Sequence, residues 1–252
     1  EMQIENRLEW GMGMEELTLL GERAVQAKYE LQRMTTEKKN EVLEAVAEAL
    51  IQNTEYLLLE NQKDLERGIA NQMNPGLVDR LRLTKERIAG MAEGIRQIVK
   101  LPDPVGEILD DYEAENGLHI VKKRVPMGVI GIIYESRPNV TADAFGLCFK
   151  SGSAVILKGG SDAIRSNMAI TKVIQDAVVR KGVDPYVIQL IESTDRSVVN
   201  EFMKMKQYVD LLIPRGGAGL IRNVVENSLI PVIDTGTGNC HIFVDESADV
   251  EK

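Results

Sequence analysis

Residues 125–167 read VPMGVIGIIYESRPNVTADAFGLCFKSGSAVILKGGSDAIRSN, and this stretch decides the fold. Two apolar runs, 128–134 and 154–157, lack the alternation of half-exposed strands and suit strands covered on both faces. A polar break, Glu135-Ser136-Arg137-Pro138-Asn139, and a short helix separate them. After the second run, Lys158-Gly159-Gly160-Ser161 opens another helix. Strand, crossover helix, strand, then glycines leading into a helix is how α/β proteins offer backbone N–H groups to phosphate.

Downstream the same alternation continues. A helix over 162–180 is bounded by Gly182 and Asp184-Pro185, and a strand follows over 186–191. Thr194-Asp195 can cap a short helix to about Lys204, and 209–213 is a further buried strand. Arg215-Gly216-Gly217-Ala218-Gly219 opens a helix to Asn227. Two last strands, 230–233 and 241–244, flank Asp234-Thr235-Gly236-Thr237-Gly238-Asn239-Cys240. The fold class is α/β, Rossmann-like, with a mainly parallel twisted sheet and right-handed crossovers. Ligands then belong at the carboxyl ends of the strands.

Upstream the pattern is helical. From Glu15, Leu17, Leu20, Ala24, Ala27 and Leu31 form one stripe at steps of three and four. Thr35-Thr36 offers a cap to a second helix, a third runs over 54–67 and stops near Gly68, and another starts at Thr84 and ends before Pro102. Asn74-Pro75-Gly76 signals a turn. This section reads as scaffold. Residues 1–13 carry no periodicity and read as a leader or an appended remnant, leaving 14–252 as the domain. Within it, 103–125 forms a hairpin around Asn116-Gly117 with polar, charged strands that need a packing surface. A partner subunit and the chain's own domain are both open as that surface.

Composition bounds the function. Aromatics make up 4% and the net charge is −9, which argues against nucleic-acid readers that stack bases and neutralise phosphates. The apolar share, 44%, suits a globular core, and no apolar run approaches the about 18 residues that span a bilayer. Two cysteines make no disulfide framework, so a reducing cytoplasm is the expected compartment.

Three loops leave strands where ligands belong. At the first, Gly159 and Gly160 allow close backbone approach, Lys158 reaches ribose hydroxyls or a phosphate, and Ser161 with Arg165 would suit a 2′-phosphate. A plain strand-to-helix turn with a solvated lysine is the alternative. The second, Arg215-Gly216-Gly217, matches neither a dinucleotide fingerprint nor a Walker loop. The third, Glu135 to Asn139, would aim amide or guanidinium donors at a developing oxyanion. Cys148 reads as core. Cys240 beside His241 suggests nucleophile and base, but neighbours on a strand point to opposite faces. No residues are assigned to a metal.

The segments VPMGVIGIIYESRPNV, VILKGGSDAIRSN, DLLIPRGG and DTGTGNCHIFVD resemble the γ-glutamyl phosphate reductase family, relatives of the aldehyde dehydrogenases, over about residue 15 to the end. The resemblance implies an aldehyde dehydrogenase-type fold and NADPH-dependent reduction of L-glutamyl 5-phosphate to L-glutamate 5-semialdehyde, a step of proline biosynthesis. By motif, Lys158, Gly159, Gly160 and Ser161 would hold the adenosine end of NADP(H). Arg215, Gly216 and Gly217 would lie along the pyrophosphate, and Asp234, Thr235 and Gly236 near the nicotinamide, although relatives often carry Glu where Asp234 stands. Ser136, Arg137, Pro138 and Asn139 would face the acyl-phosphate substrate. The 103–125 hairpin resembles the family's oligomerisation ribbon and implies a homo-oligomer.

One departure matters. The family's nucleophile lies in an Arg-Pro-(Ser/Thr)-x-Cys-Asn motif that follows the Asp245-to-Asp249 segment, and no Arg-Pro-x-x-Cys occurs in these 252 residues. The resemblance therefore puts the family cysteine beyond Lys252, and no residue of this chain is assigned as catalytic. The expectation is a cofactor-binding portion without the catalytic domain and without turnover of its own. The competing reading is a non-catalytic nucleotide-binding or subunit-association module. A third makes Cys240 the nucleophile.

Overall fold

The computed structural model describes residues 2–135, 137–236 and 240–249, with the backbone alone at 2–14 and 196. A four-stranded parallel sheet forms its centre. Its strands are β3 (Val129–Tyr134), β4 (Ala154–Lys158), β5 (Ile188–Leu190) and β6 (Leu211–Arg215), in the order β5-β4-β3-β6. A separate antiparallel pair, β1 (Ile108–Glu113) and β2 (His119–Lys123), forms the expected hairpin.

The two strands that lacked alternation are buried at every residue, β3 and β4 alike. They are central, and helices cover both faces. On one side lie α6 (Asn139–Lys150) and α7 (Ile164–Arg180), the crossovers from β3 to β4 and from β4 to β5. The return from β5 to β6 runs in the opposite direction and carries α8 (Arg196–Phe202) over the other face, as right-handed crossovers demand. A Cβ on Gly131 in β3 would lie 2.3 Å from Leu212 and 2.7 Å from the Phe202 ring, so the glycine lets α8 press onto the sheet.

The scaffold helices are α1 (Met2–Leu31), α2 (Thr36–Gln52), α3 (Thr54–Ala70), α4 (Pro75–Leu81) and α5 (Lys85–Lys100). α1 packs on β4 and α8, while α2, α3 and α5 form an outer layer on α6 and α7. The capping residues act as read: Thr35 Oγ1 accepts from Lys38 N, and Thr84 Oγ1 accepts from Arg87 N. Buried Lys39 pairs with Asp103 and donates to Lys150 O at 3.2 Å, fastening the outer layer to α6. Asp103 holds its charge because Lys39, Val105 N and Thr36 outweigh the burial that would raise its carboxyl.

Residues 2–13 are helical and run on into α1, since extending an existing helix costs far less than nucleating one. Three expectations change. Asn74-Pro75-Gly76 is the start of a helix rather than a plain turn: Asn74 Oδ1 accepts from Gly76 N at 2.8 Å and Pro75 occupies the first helical position. Segment 230–233 reaches only one parallel bridge, Val232 to Leu212, beside β6. Residues 241–244 form no strand; Ile242 and Phe243 are 90% and 88% exposed, with no neighbouring ladder among the described residues to accept them.

Candidate functional site

The sheet register assembles the site. Lys158, the last residue of β4, pairs with Ile133, and Tyr134, the last of β3, pairs with Arg215 of β6. Lys158 and Arg215 therefore stand at one carboxyl edge two strand spacings apart, roughly 10 Å. Ile233 N donates to Leu212 O, and Thr235 Oγ1 donates to Pro214 O at 3.3 Å, which brings Asp234-Thr235-Gly236 alongside the same edge. Gly236, at φ +66°, turns back so that its N–H reaches Asp234 Oδ1. Three sequence-distant turns meet there. Ser136 and Thr237-Gly238-Asn239 lie outside the described residues.

Lys158 is buried, and its ammonium donates to Gly159 O at 2.9 Å. Among the described residues no carboxylate pairs with it, and desolvation pushes its pKa below the usual lysine value. The expected alternative of a solvated lysine is therefore wrong. A buried cation with two unused donors at a strand end fits ribose hydroxyls or an anionic group of a dinucleotide.

Close approach at the Lys158 turn has a specific cause. A Cβ on Gly159 would lie 2.2 Å from Asn167 Nδ2 and 3.1 Å from the Tyr134 ring. Tyr134 hydroxyl shares a 2.7 Å hydrogen bond with Thr141 Oγ1, and Thr141 Oγ1 donates to Asn167 Oδ1 at 3.2 Å. Asn167 Nδ2 is buried with no protein partner. This polar chain links β3, α6 and α7 directly beneath Gly159.

The helix dipole expected behind this turn is already taken. Residues 161–163 form a 3-10 turn before α7, and Asp64 of α3 accepts from Ser166 N and Oγ at 2.8 and 2.7 Å and from Arg165 N at 3.3 Å. Burial raises the Asp64 carboxyl above its usual range, against these hydrogen bonds and Arg67. Arg67 donates to Asp64, to Ser161 O and to Asp162 O. The first α7 amides thus face a carboxylate, which leaves the Lys158 ammonium, and not the helix end, with donors to spare at this turn. Arg165 does not join Lys158 and Ser161 in one cavity; it lines a separate one of about 580 Å³ between α1, α3 and α7.

At the second turn, β6 leads into α9 (Ala218–Asn227) through Gly216-Gly217. Glu135 bridges back to it: its N–H donates to Arg215 O at 3.2 Å, and its Oε2 accepts from Gly217 N at 2.8 Å. A Cβ on Gly216 would lie 2.6 Å from that carboxylate. Glu135 was read only as part of a polar break; no spacing rule would single it out as a clasp between the 135–139 and 215–217 turns. At that first turn, Pro138 is buried, and Asn139 Nδ2 donates to Asp143 Oδ2 at 2.9 Å.

The cysteines separate as read. Cys148 is buried, and burial pushes its thiol up to about 12, so it stays protonated and inert. Cys240 is exposed. Neither stands in an Arg-Pro-x-x-Cys motif. Lys252, the residue beyond which the resemblance puts the family cysteine, lies outside the described residues, and that expectation rests on the sequence motif alone.

Comparison with known proteins gives the relatives of this fold. Over 238 residues the chain is 56% identical to the γ-glutamyl phosphate reductase of Lachnospira eligens, covering 94% of this chain and 57% of the relative. The crystal structure of the Thermotoga maritima γ-glutamyl phosphate reductase superposes with a TM-score of 0.87 at 44% identity, over 94% of this chain and 57% of that one. The Saccharomyces cerevisiae counterpart gives a TM-score of 0.80 at 30% identity, over 88% and 56%. The chain thus spans rather more than half the length of the relatives it matches. A sequence profile described as "Aldehyde dehydrogenase family" matches residues 13–252, and with the sheet order and the three converging turns it places this chain in the aldehyde dehydrogenase family.

Proposed function

We propose that this chain is the dinucleotide-binding portion of a γ-glutamyl phosphate reductase, acting in proline biosynthesis. The observation that carries the reading is Lys158, a buried ammonium with no carboxylate partner among the described residues, at the strand edge where the Arg215 and Asp234 turns also meet. Family membership implies a nicotinamide cofactor, and the donor set fits one. Lys158 would bind the ribose of NADP(H), with Gly159, Gly160 and Ser161 giving its backbone room. Arg215, Gly216 and Gly217 would run along the pyrophosphate, and Asp234, Thr235 and Gly236 would approach the nicotinamide.

When bound, the cofactor supplies hydride. The chain's own residues bind and orient: Lys158 neutralises charge, Glu135 fixes the Gly217 amide, and Arg137 and Asn139 face the acyl group of L-glutamyl 5-phosphate. The family nucleophile has no counterpart from Glu1 to Lys252, so these residues alone bind NADPH without turning over the acyl phosphate. The β1–β2 ribbon is exposed along both strands, with Ile108, Leu109, Tyr112 and Val121 open, and it pairs subunits of a cytoplasmic homo-oligomer.

A fluorescence titration with NADPH tests the cofactor assignment. The chain should bind saturably, and Lys158→Met should weaken binding about tenfold or more, the scale of a lost charge-assisted hydrogen bond. Absence of binding by a folded, cooperatively melting sample contradicts the reading. Steady turnover of an acyl phosphate by these residues alone contradicts the claim that the family cysteine is required.

A further inference from the structure

An open cavity of about 450 Å³ lies between α4, the start of α5 and the turn at 137–139. Four arginines line it, Arg80, Arg82, Arg87 and Arg137, against two aspartates, Asp79 and Asp143. Resting on the reading above, we propose that this cleft is a subsite for a phosphate-class dianion, the phosphoryl group of the acyl-phosphate substrate.

Charge is the first argument. The protein carries −9 overall, yet this cleft concentrates guanidinium groups. Neither aspartate offsets them fully. Asp79 is held by Arg87, whose Nη2 reaches both carboxylate oxygens at 3.1 and 3.2 Å. Asp143 accepts from Asn139, and burial pushes its carboxyl up, against that hydrogen bond and the Arg215 charge. Arg80, Arg82 and Arg137 have no carboxylate within ion-pair distance among the described residues. Like charges gathered without counter-charge are unfavourable until an anion joins them, and guanidinium forks suit the oxygens of phosphate.

Rigidity is the second. Arg87 also donates to the carbonyls of Asp79 and Arg82, so it fastens the 79–82 segment to α5 and fixes the rim on which Arg80 and Arg82 stand. Opposite, Pro138 is buried and precedes α6, whose positive end faces the same turn. The cleft therefore abuts the acyl-facing residues, whereas Lys158 and Ser161 do not line it. Cofactor and phosphoryl group receive separate cationic sites.

The test is titration of the folded chain with inorganic phosphate at low ionic strength, followed by NMR or calorimetry. Wild type should bind saturably, and Arg82→Gln and Arg137→Gln should each weaken binding about tenfold, as loss of a charged hydrogen bond predicts. Both side chains are exposed, so melting temperatures should not move. Acetyl phosphate should displace phosphate, while NADPH should not, and Arg82→Gln should leave NADPH affinity unchanged. No saturable phosphate binding, or wild-type affinity retained in both variants, overturns the proposal. Displacement by NADPH overturns it differently, assigning the cleft to a cofactor phosphate. Because the phosphate arm uses no nicotinamide, phosphate binding without NADPH binding would sink the cofactor assignment and leave this subsite standing.

Discussion

Asp64 shows how a residue with no sequence motif governs the site. It is buried in α3, accepts from two α7 amides and the Ser166 hydroxyl, and pairs with Arg67. Asp64→Ala would leave those donors unmatched and expose the α7 end, costing about 1–3 kcal/mol, the scale for leaving buried donors without an acceptor. Calorimetric melting measures it: a large fall is expected, with Asp64→Asn intermediate, and an unchanged melting temperature refutes the capping role. Lys158 carries a pH signature. Desolvation lowers its folded-state pKa, so its proton leaves at lower pH than that of an ordinary lysine. Between the lowered value and the unfolded pKa the unfolded chain binds more protons, so apo stability should rise as pH climbs through that window. NADPH affinity should weaken over the same window, earlier than in Lys158→Arg; identical profiles would show that Lys158 does not hold the cofactor. Lys158 itself was legible because it ends an apolar run before two glycines. Asp64, Glu135 and Asn167 were not, because each acts through a partner 82 to 102 residues away (Glu135 with Gly217, Asp64 with Ser166) or through a contact created by folding.

At the scale of elements, strands buried on both faces and capped helices could be read directly, since continuous apolar runs and Thr or Asp caps act locally. Failures came where local chemistry had two outcomes. Asn-Pro-Gly can close a turn or start a helix, and at 74–76 the following Leu81 gains a buried position that favours the helix. Apolar residues over 241–244 looked like a strand, but a strand exists only with a ladder partner, and the described residues offer none. The β1–β2 ribbon is the converse: its Asn-Gly turn was plain, while its cover was not. Replacing residues 108–123 by a short flexible linker should leave the melting temperature nearly unchanged, because neither strand is buried, but should dissociate any oligomer. Sedimentation velocity measures that. Loss of folding would instead mean that the ribbon packs on its own domain.

For the whole molecule, the sheet order β5-β4-β3-β6 explains why three turns separated in sequence converge at one edge. The fold class could be predicted from alternating strands and helices; the partition of cations could not. Lys158 ends β4 at the carboxyl edge of the sheet, Arg165 lines a cavity beside α1 and α3, and the arginine cleft lies between α4, α5 and the start of α6, an arrangement set by how the outer helices wrap. Those helices read as scaffold in the sequence, yet α4, α5 and the link between them supply three of the four arginines in the cleft. The central claim is that a dinucleotide lies along the carboxyl edge from Lys158 to Arg215. Hydrogen–deuterium exchange with and without NADPH tests it most directly. The account predicts slowed exchange in peptides spanning 158–161 and 215–219, with no change over 108–123. Unchanged exchange in both turns at saturating NADPH, or protection confined to the cavity lined by Arg165, would contradict it.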